Sequence, residues 1–423
     1  MADVAVREPA WLAARREKSA ARAAGLDLPQ FKGHPGWEFT ELGSFEWGAF
    51  APARSGEGDP GAVERAETLL DAPDGAVTLG QVDGLVVDEP EAVADGVLVL
   101  PLSAAVAQHP ELVEPHLGRI VDADSGDKFV AGNDADWSGG AFVHVPRGVH
   151  VSAPVLCTAI SDAAGVSLNR RVLVVLDEEA EAEVWEQYLS GSTDGETLLN
   201  TTIELVVGQN ARLRFVCAQD MNERSWIFGS LRAEVARDGY LDWVIAGFGS
   251  ARGKVRVETL LAGNGAEAKV TGAYAPHARQ HVDFDTTQEH GAPNTTSDLA
   301  FRGILADRST AVWRGMIKVD PGAQRTDAFQ ECRNLLLSKR AHADAIPGLE
   351  ILANDVRCTH AAAVAQIDRE QLFYLRSRGL SEATATRLVI EGFMAELVER
   401  FKEGAIRDAM AAALERRLAR LLD

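Results

Sequence analysis

Cysteine is scarce in this chain. Its 423 residues include only Cys157, Cys217, Cys332 and Cys358, which are widely scattered and form no Cys-x-x-Cys pair. Disulfide-stabilised small domains and self-contained zinc or cluster sites need cysteines at short, defined spacings. The sequence therefore excludes both kinds of site. Any metal cluster held by this chain must take some of its ligands from a partner.

Long hydrophobic runs and an excess of basic residues are also missing. No window approaches the roughly 18 consecutive apolar residues of a membrane span, and charged residues such as Glu8, Arg15 and Lys18 stand where a signal peptide needs an apolar core. The chain has 42 Lys and Arg against 63 Asp and Glu, a net charge of −21. This charge repels nucleic acid and anionic lipid. We therefore expect a cytoplasmic protein that binds neither nucleic acid nor a membrane.

Two catalytic motifs are missing as well. The phosphate-binding loop G-x-x-x-x-G-K-[ST] does not occur, so we do not expect the chain to hydrolyse ATP. Acidic pairs between Glu178 and Glu183 have the residue types of a glycosidase, but they lie in an acidic run without convergent Lys or Arg. A solvated surface is the favoured interpretation of that run. A carbohydrate-active enzyme remains the alternative from a different functional class.

Short Val-, Ile-, Leu- and Ala-rich segments fill the chain from about Phe129 to Ile367. Turn pairs such as Asp238-Gly239 and Asn264-Gly265 separate them, in steps of roughly 25 to 30 residues. No helical segment alternates with these strands, which disfavours a doubly wound α/β sheet. The spacing is typical of a stacked β-helix and of an antiparallel sandwich, and it does not separate the two.

Helical patterns stand at both ends of the chain. The Ala- and Arg-rich stretch from Glu8 to Ala24 predicts a helix that Gly25 ends. After Ile367, Asp368 to Arg378 predicts a short capped helix, and Ser381 is the expected cap of a longer one. The second of these helices has apolar residues at helical spacing, as does a third that follows Gly404. These residues are Leu388, Val389, Phe393, Leu397, Val398 and Phe401 in the second helix, and Ile406, Met410, Leu414, Leu418 and Leu421 in the third.

These changes of pattern predict three parts. Residues 1–125 are expected to form a helical or mixed N-terminal domain, residues 126–366 the β-rich core, and residues 367–423 a helical C-terminal domain.

Metal-ligand residue types are densest between His277 and His290. His281, Asp283 and Asp285 would share one face of a strand there, since strand side chains alternate. Because the group lacks a defined ligand spacing, a polar outer face is favoured over a metal site.

Cys358 and His360 are the second candidate for ligand chemistry. Two residues apart, they would lie on the same face of a strand near the end of the β-rich stretch. Thiolate and imidazole are suitable ligands for iron and sulfide species. Taken alone, a buried cysteine and a hydrogen-bonded histidine would be the commoner outcome.

The wider context of Cys358-Thr359-His360 resembles a known family. The segment LFYLRSRG (Leu372 to Gly379) follows the pair, and WEFT (Trp37 to Thr40) stands near the N-terminus. Together they resemble the SufB/SufD family of iron-sulfur cluster assembly scaffolds. The resemblance implies a mainly β protein, with a right-handed parallel β-helix core and helical N-terminal and C-terminal regions. It thereby favours the β-helix over the sandwich.

Within this family the chain is more similar to the SufD branch. Lys339-Arg340-Ala341-His342 and Ala361 stand where the SufB pattern has a Cys-Gly-Ala-His step and a Glu after the histidine. The resemblance thus implies a non-ATPase, non-enzymatic subunit of a SufBCD complex. The nearest alternative is a SufB-like paralogue that acts as a homo-oligomeric scaffold, and the missing Cys and Glu speak against it.

The resemblance also implies sites and partners. His360 is the expected metal ligand, together with Cys358, for a transient iron-sulfur cluster shared with a SufB-like homologue, and no cluster is expected on the isolated chain. The homologue is expected to pair with the edge of the β-helix, and a SufC-like ABC ATPase to bind the C-terminal helices. The expected docking residues are Phe373, Tyr374, Arg376, Arg378, Phe393, Leu397 and Phe401.

Overall fold

The computed structural model describes residues 8–30, 36–54, 57–90, 93–192, 194–401 and 403–422. Within these ranges the helices are α1 (Ala10–Gly25), α2 (Ala62–Arg65), α3 (Leu102–Gln108), α4 (Pro110–Val113), α5 (Lys128–Asp136), α6 (Arg369–Ser377), α7 (Glu382–Val398) and α8 (Ala405–Leu422). The strands are β1 (Ala51–Pro52), β2 (Val77–Val82), β3 (Leu85–Asp88), β4 (Leu98–Pro101), β5 (Gly139–Val145), β6 (Val155–Ser161), β7 (Val166–Leu176), β8 (Glu181–Ser190), β9 (Leu198–Val207), β10 (Arg212–Asp220), β11 (Trp226–Val235), β12 (Tyr240–Gly247), β13 (Arg252–Leu261), β14 (Glu267–Tyr274), β15 (His281–His290), β16 (Thr296–Leu305), β17 (Thr310–Val319), β18 (Asp327–Leu336), β19 (His342–Ile351) and β20 (Arg357–Gln366).

Strands β5 to β20 form a parallel β-helix. Odd-numbered strands stack in one sheet (sheet A) and even-numbered strands in the other (sheet B), so these sixteen strands, two to a turn, make eight turns. The register repeats at near-constant steps: Arg252 aligns with His281, and His281 with Thr310, 29 residues apart each time. Because neighbouring strands are parallel, the predicted β-helix is confirmed and the antiparallel sandwich is excluded.

The N-terminal part closes one end of this stack. Strand β4 pairs antiparallel with β5 at the edge of sheet A. The antiparallel hairpin β2–β3 extends sheet B beyond β6. An edge strand exposes unpaired backbone groups, and these additions cover the first turn. Strands β19 and β20 have no such cover within the described chain.

Several strands, such as β7 and β12, are nearly continuous apolar runs because both of their faces are buried. In β12, Leu241 and Trp243 point into the β-helix, whereas Val244 and Ala246 point outward beneath the C-terminal helices. This pattern is typical of parallel strands that are covered on both sides.

At one corner of the β-helix, turn residues with positive φ are stacked on one another and form a ladder of backbone hydrogen bonds. The amide of Asn210 donates to the carbonyl of Arg237, and the amide of Asp238 to that of Asn264, each at 3.0 Å. Asn, Asp and Gly adopt positive φ at the least steric cost, which is why they recur here. The members of this ladder are Glu179, Asn210, Asp238, Gly265, Asn294 and Arg325.

Helices cover the outer faces of both sheets. Leu12 of α1 and Leu102 of α3 pack with Phe142 and Leu173 on sheet A. Helices α7 and α8, with the segment between them, cover sheet B with a continuous apolar surface. Its members are Ile390, Met394, Leu397, Phe401, Ile406, Met410, Ala413, Leu414 and Leu418. Among the residues that the structure describes, no helix is both long and apolar enough to cross a membrane.

The predicted helices at both ends are confirmed. Asp368 caps α6 by accepting the amide N–H of Glu370 at 2.8 Å, and Ser381 caps α7 by accepting that of Thr384 at 3.1 Å. The stripe predicted for α7 differs in detail, because Leu388 is exposed whereas Ile390 and Met394 are buried. The position of sheet B beneath α7 determines which side of the helix is buried.

Candidate functional site

Cys358 and His360 lie on the last strand of the β-helix. Strand β20 pairs with β18 on one side, and β19 pairs with β17. Within the described chain the other edge of each strand has no neighbouring strand. The pair therefore stands at the open end of the stack.

Both side chains face the interior of the β-helix. In-register pairing sets Cys358 against Ala328 and His360 against Gln330, and these two partners are fully buried. Cys358 packs on the apolar cluster that contains Ala328. His360 is exposed, since no further turn covers it. The two Cα atoms are roughly 7 Å apart along the strand, so one ligand bound at the mouth can reach both side chains.

The Cys358 thiol is protonated at neutral pH. Partial burial, with a smaller effect from the Asp327 carboxylate, raises its pKa above the ordinary value. Because the thiolate is the form that binds metal, ligation at Cys358 must release a proton. A positive charge brought by a metal or a partner would favour that release.

Polar groups also lie inside the β-helix on the preceding turns, aligned with Ala362 and Val364 further along β20. Tyr274 donates a hydrogen bond to Oδ1 of Asn334 at 2.6 Å, and its hydroxyl lies 3.5 Å from Sγ of Cys332. The side chain of Gln330 crosses the interior next to them. Sequence reasoning missed these residues. The signal was the repeat itself, since Gln330 precedes His360 by one turn of 30 residues.

The expected docking residues divide into two groups. Phe373 and Tyr374 are 75% and 57% exposed on α6, and Arg376 on the helix and Arg378 directly after it are exposed as well. Helix α6 buries none of its side chains.

The docking residues on and after α7 are in a different environment. Phe393 is half-buried, with the guanidinium of Arg302 5.9 Å from its ring centroid. Leu397 and Phe401 are buried against sheet B and offer no surface to a partner. Of the expected docking residues, the exposed ones are therefore those on α6 and directly after it.

The outward-facing polar side chains of strand β15 form hydrogen bonds and ion pairs with their neighbours. His281 contacts the hydroxyls of Thr40 at 3.1 Å and Thr310 at 2.7 Å, and Asp283 pairs with Lys254 at 2.8 Å. Burial lowers the pKa of His281 to about 4, so the ring is neutral. No three His, Cys, Asp or Glu side chains in the described ranges are arranged to hold a metal ion.

These contacts give the WEFT segment a structural role. Thr40 bonds to both His281 and Asp283, and Trp37 stacks on Phe129 with ring centroids 5.5 Å apart. The segment thereby fastens the N-terminal part to the outer face of sheet A.

Comparison with known families shows to which family the chain belongs. The model of the SufBD core domain of SUF system FeS cluster assembly matches residues 159–393, which is more than half of the chain. The chain belongs to the SufB/SufD family. The model of the SufBD N-terminal region matches residues 82–156. The SufB/SufD family takes part in iron-sulfur cluster assembly, and the matched core region runs from within β6 through the rest of the β-helix into α7.

Relatives within the SufB/SufD family are distant but cover nearly the whole chain. SufD of Bacillus subtilis is 26% identical over 419 residues, 97% of this chain and 95% of the relative. SufB of the same organism is 25% identical over 396 residues, 92% of this chain and 85% of the relative. A SufBD family protein of Staphylococcus saprophyticus is 26% identical with the same coverage. Identity alone does not separate SufD from SufB.

Proposed function

We propose that this chain is a SufD-type scaffold subunit of a SufBCD-like complex, neither an ATPase nor an enzyme, that supports iron-sulfur cluster assembly. The observation that carries the proposal is the pair Cys358 and His360 at the open end of the β-helix. The replacement of the SufB cysteine and glutamate by Lys339 and Ala361 supports the SufD branch. The cysteines are free thiols, which fits a reducing cytoplasm.

The nascent cluster is cargo at this site. An imidazole nitrogen of His360 and the thiolate of Cys358 are ligands that iron accepts. Two ligands leave a cluster incompletely held, so the remaining ligands come from a SufB-like homologue. Each subunit then supplies part of the coordination, and the cluster forms only where the two meet.

The homologue pairs with the open end of the β-helix. Strands β19 and β20 present unpaired edges, and Leu349, Ile351 and Val364 are exposed large apolar side chains on them. Unpaired edges with apolar side chains are an aggregation liability in a free chain. Pairing with a second β-helix removes the liability by adding strands and covering the apolar residues.

Helix α6 is the surface for a SufC-like ABC ATPase. Its Phe373 and Tyr374 are exposed, and Arg376 and Arg378 give it positive charge in a strongly acidic protein. Exposed aromatic and Arg side chains are the residue types that dominate binding energy at protein interfaces.

The proposal is tested on the reconstituted complex. We expect His360→Ala to retain both partners and to slow cluster assembly, followed by the visible absorbance of the cluster, by roughly tenfold or more because a metal ligand is lost. Thr359→Ala is the matched control, since Thr359 is exposed and points to the opposite face of β20. Unchanged assembly with His360→Ala would show that the site is wrongly assigned.

Purification of the tagged full-length chain tests the subunit role. Recovery with a SufB-like protein and an ABC-type ATPase is the expected result. Recovery as a homo-oligomer would favour the SufB-like alternative. Recovery of the chain alone, with activity on a polysaccharide, would return the carbohydrate enzyme to consideration.

A further inference from the structure

Helix α6 and the last turn of the β-helix border a cleft of about 470 Å³. Its apolar lining includes Leu336 at the end of β18, Ile367 directly after β20 and Leu372 of α6, all of them half-buried. Phe373 of α6 lines the same cleft and is 75% exposed. A partly open apolar cleft beside an exposed aromatic ring is typical of a surface that another protein covers.

The cleft is basic, although the net charge of the chain is −21. Lys339, Arg369 and Arg376 line it, against the carboxylate of Glu382 alone among the described residues there. Lys339 and Arg369 form no ion pair with another described residue. Arg376 pairs with Glu382 at 3.3 Å, but both side chains are more than half exposed, and such pairs contribute little stability. These three cations are therefore available to carboxylates of another molecule.

We propose that this basic cleft receives an acidic segment of the ATPase, in which an apolar side chain is flanked by Asp or Glu. The apolar side chain packs on Leu336 and Ile367, and the carboxylates pair with Lys339 and Arg369. Opposite charges across an interface speed association and fix the orientation of the partner. Three of the lining residues, Arg369 among them, belong to α6, so the inference rests on the proposed docking of the ATPase on that helix.

The basic cleft extends the docking surface from α6 onto the body of the β-helix. Lys339 lies in the corner between β18 and β19, where the amide of Ala341 donates to the carbonyl of Ser338 at 3.3 Å. Strand β19 starts three residues after Lys339, at His342. A partner in the cleft therefore contacts both the docking helix and the corner that leads into a strand of the open end.

Charge reversal in the full-length chain tests the basic cleft, with the ATPase that is recovered with the wild type as the titrant. We expect Lys339→Glu and Arg369→Glu to raise the Kd about tenfold at about 50 mM salt and by less at about 500 mM, because salt screens ionic contacts. Arg54→Glu is the matched control. Arg54 is also exposed, but it follows β1, which pairs with β7, six strands from β19 in sheet A.

Cross-linking of the reconstituted complex identifies the occupant. A carbodiimide joins the amine of a lysine to a carboxylate in contact with it, and an amide bond forms. We expect mass spectrometry to find Lys339 joined to an Asp or Glu of the ATPase. Lys339→Arg keeps the positive charge, so it should retain the wild-type Kd and lose this cross-link. A cross-link from Lys339 to the SufB-like homologue instead would overturn the proposed occupant.

Failure of this inference is separable from failure of the proposed docking on α6. If Phe373→Ala loses the ATPase while both charge reversals retain the wild-type Kd, docking on α6 stands and the basic cleft is overturned. If Phe373→Ala also retains the ATPase, the docking proposal fails with it. An equal loss of affinity at both salt concentrations would likewise contradict an ionic contact in the cleft.

Discussion

Two histidines of strand β15 are buried on opposite faces of sheet A. His281 lies outside, between Thr40 and Thr310, whereas His290 lies inside with its ring nitrogens 2.8 Å from Thr295 and 2.9 Å from Ser297. Burial lowers the pKa of each ring to about 4. Their hydroxyl partners satisfy a neutral imidazole, whereas a charged ring would be unfavourable in so buried a place.

This burial makes the free energy of unfolding depend on pH. The folded pKa of about 4 lies below the ordinary value of 6.5, so the unfolded chain binds more protons between these values. The stabilisation is therefore complete above pH 6.5 and is lost as the pH falls towards 4, by on the order of 3 kcal/mol for each ring. We expect urea unfolding at pH 7 and pH 4.5 to show a smaller pH-dependent loss for His290→Gln than for wild type. The exposed His150→Gln should keep the wild-type loss, and equal losses in all three proteins would refute the explanation.

The C-terminal helices differ in what they do for the fold. Helices α7 and α8 complete the packing of sheet B, so they belong to the same hydrophobic core as its strands. Helix α6 contributes no buried side chain. A truncation before α6 would also remove α7 and α8 and expose the apolar face of sheet B. Docking is therefore better tested with single substitutions.

This difference predicts opposite effects of two substitutions. Leu397→Ala should lower the free energy of unfolding by about 2 to 5 kcal/mol, since it opens a cavity beneath α7. Phe373→Ala should change it by less than about 0.5 kcal/mol, because the ring is 75% exposed, but it should weaken co-purification of the ATPase. Urea unfolding and pull-down on the same preparations check both. A stable Phe373→Ala protein that retains the ATPase at wild-type level would remove α6 from the docking surface.

At the scale of the whole molecule, the β-helix is capped at one end and open at the other. The first turn is covered by β2, β3 and β4, whereas the edges of β19 and β20 have no covering strand within the described chain. Net charge of −21 opposes unspecific association of copies of the chain. In the proposed complex, the partner covers this open end, and its surface must offset that repulsion.

Ile351→Lys tests the open end. Ile351 is 40% exposed near the end of β19, so a lysine there should leave the free energy of unfolding nearly unchanged. A charge within a paired edge is costly, and we expect loss of the complex with the SufB-like homologue in size-exclusion chromatography. Glu350→Lys, on the opposite face of the same strand, is the control for the added positive charge. An intact complex with Ile351→Lys would place the partner elsewhere.

The sequence by itself determined the parts of this protein that depend on local spacing. Strand alternation and stacked turns indicated a β structure up to Ile367, and Asp368 and Ser381 marked the starts of α6 and α7. The predicted start at Phe129 was wrong, because Asp127 caps helix α5 (Lys128–Asp136) and the first strand of the β-helix begins at Gly139. The common face of Cys358 and His360 follows from their separation by two residues. Spacing did not choose between β-helix and sandwich, because both architectures use short strands with similar turns.

Only the tertiary structure decided which residues meet across turns and beneath helices. The register of β18 with β20 set Gln330 behind His360, and the path of sheet B buried Leu397 while leaving Phe373 exposed. Both outcomes depend on contacts between segments about 30 or more residues apart. Local spacing does not fix such contacts. The register between strands depends on the number of residues in each turn, which varies along the chain. The side of a helix that is buried depends on where the sheet lies beneath it.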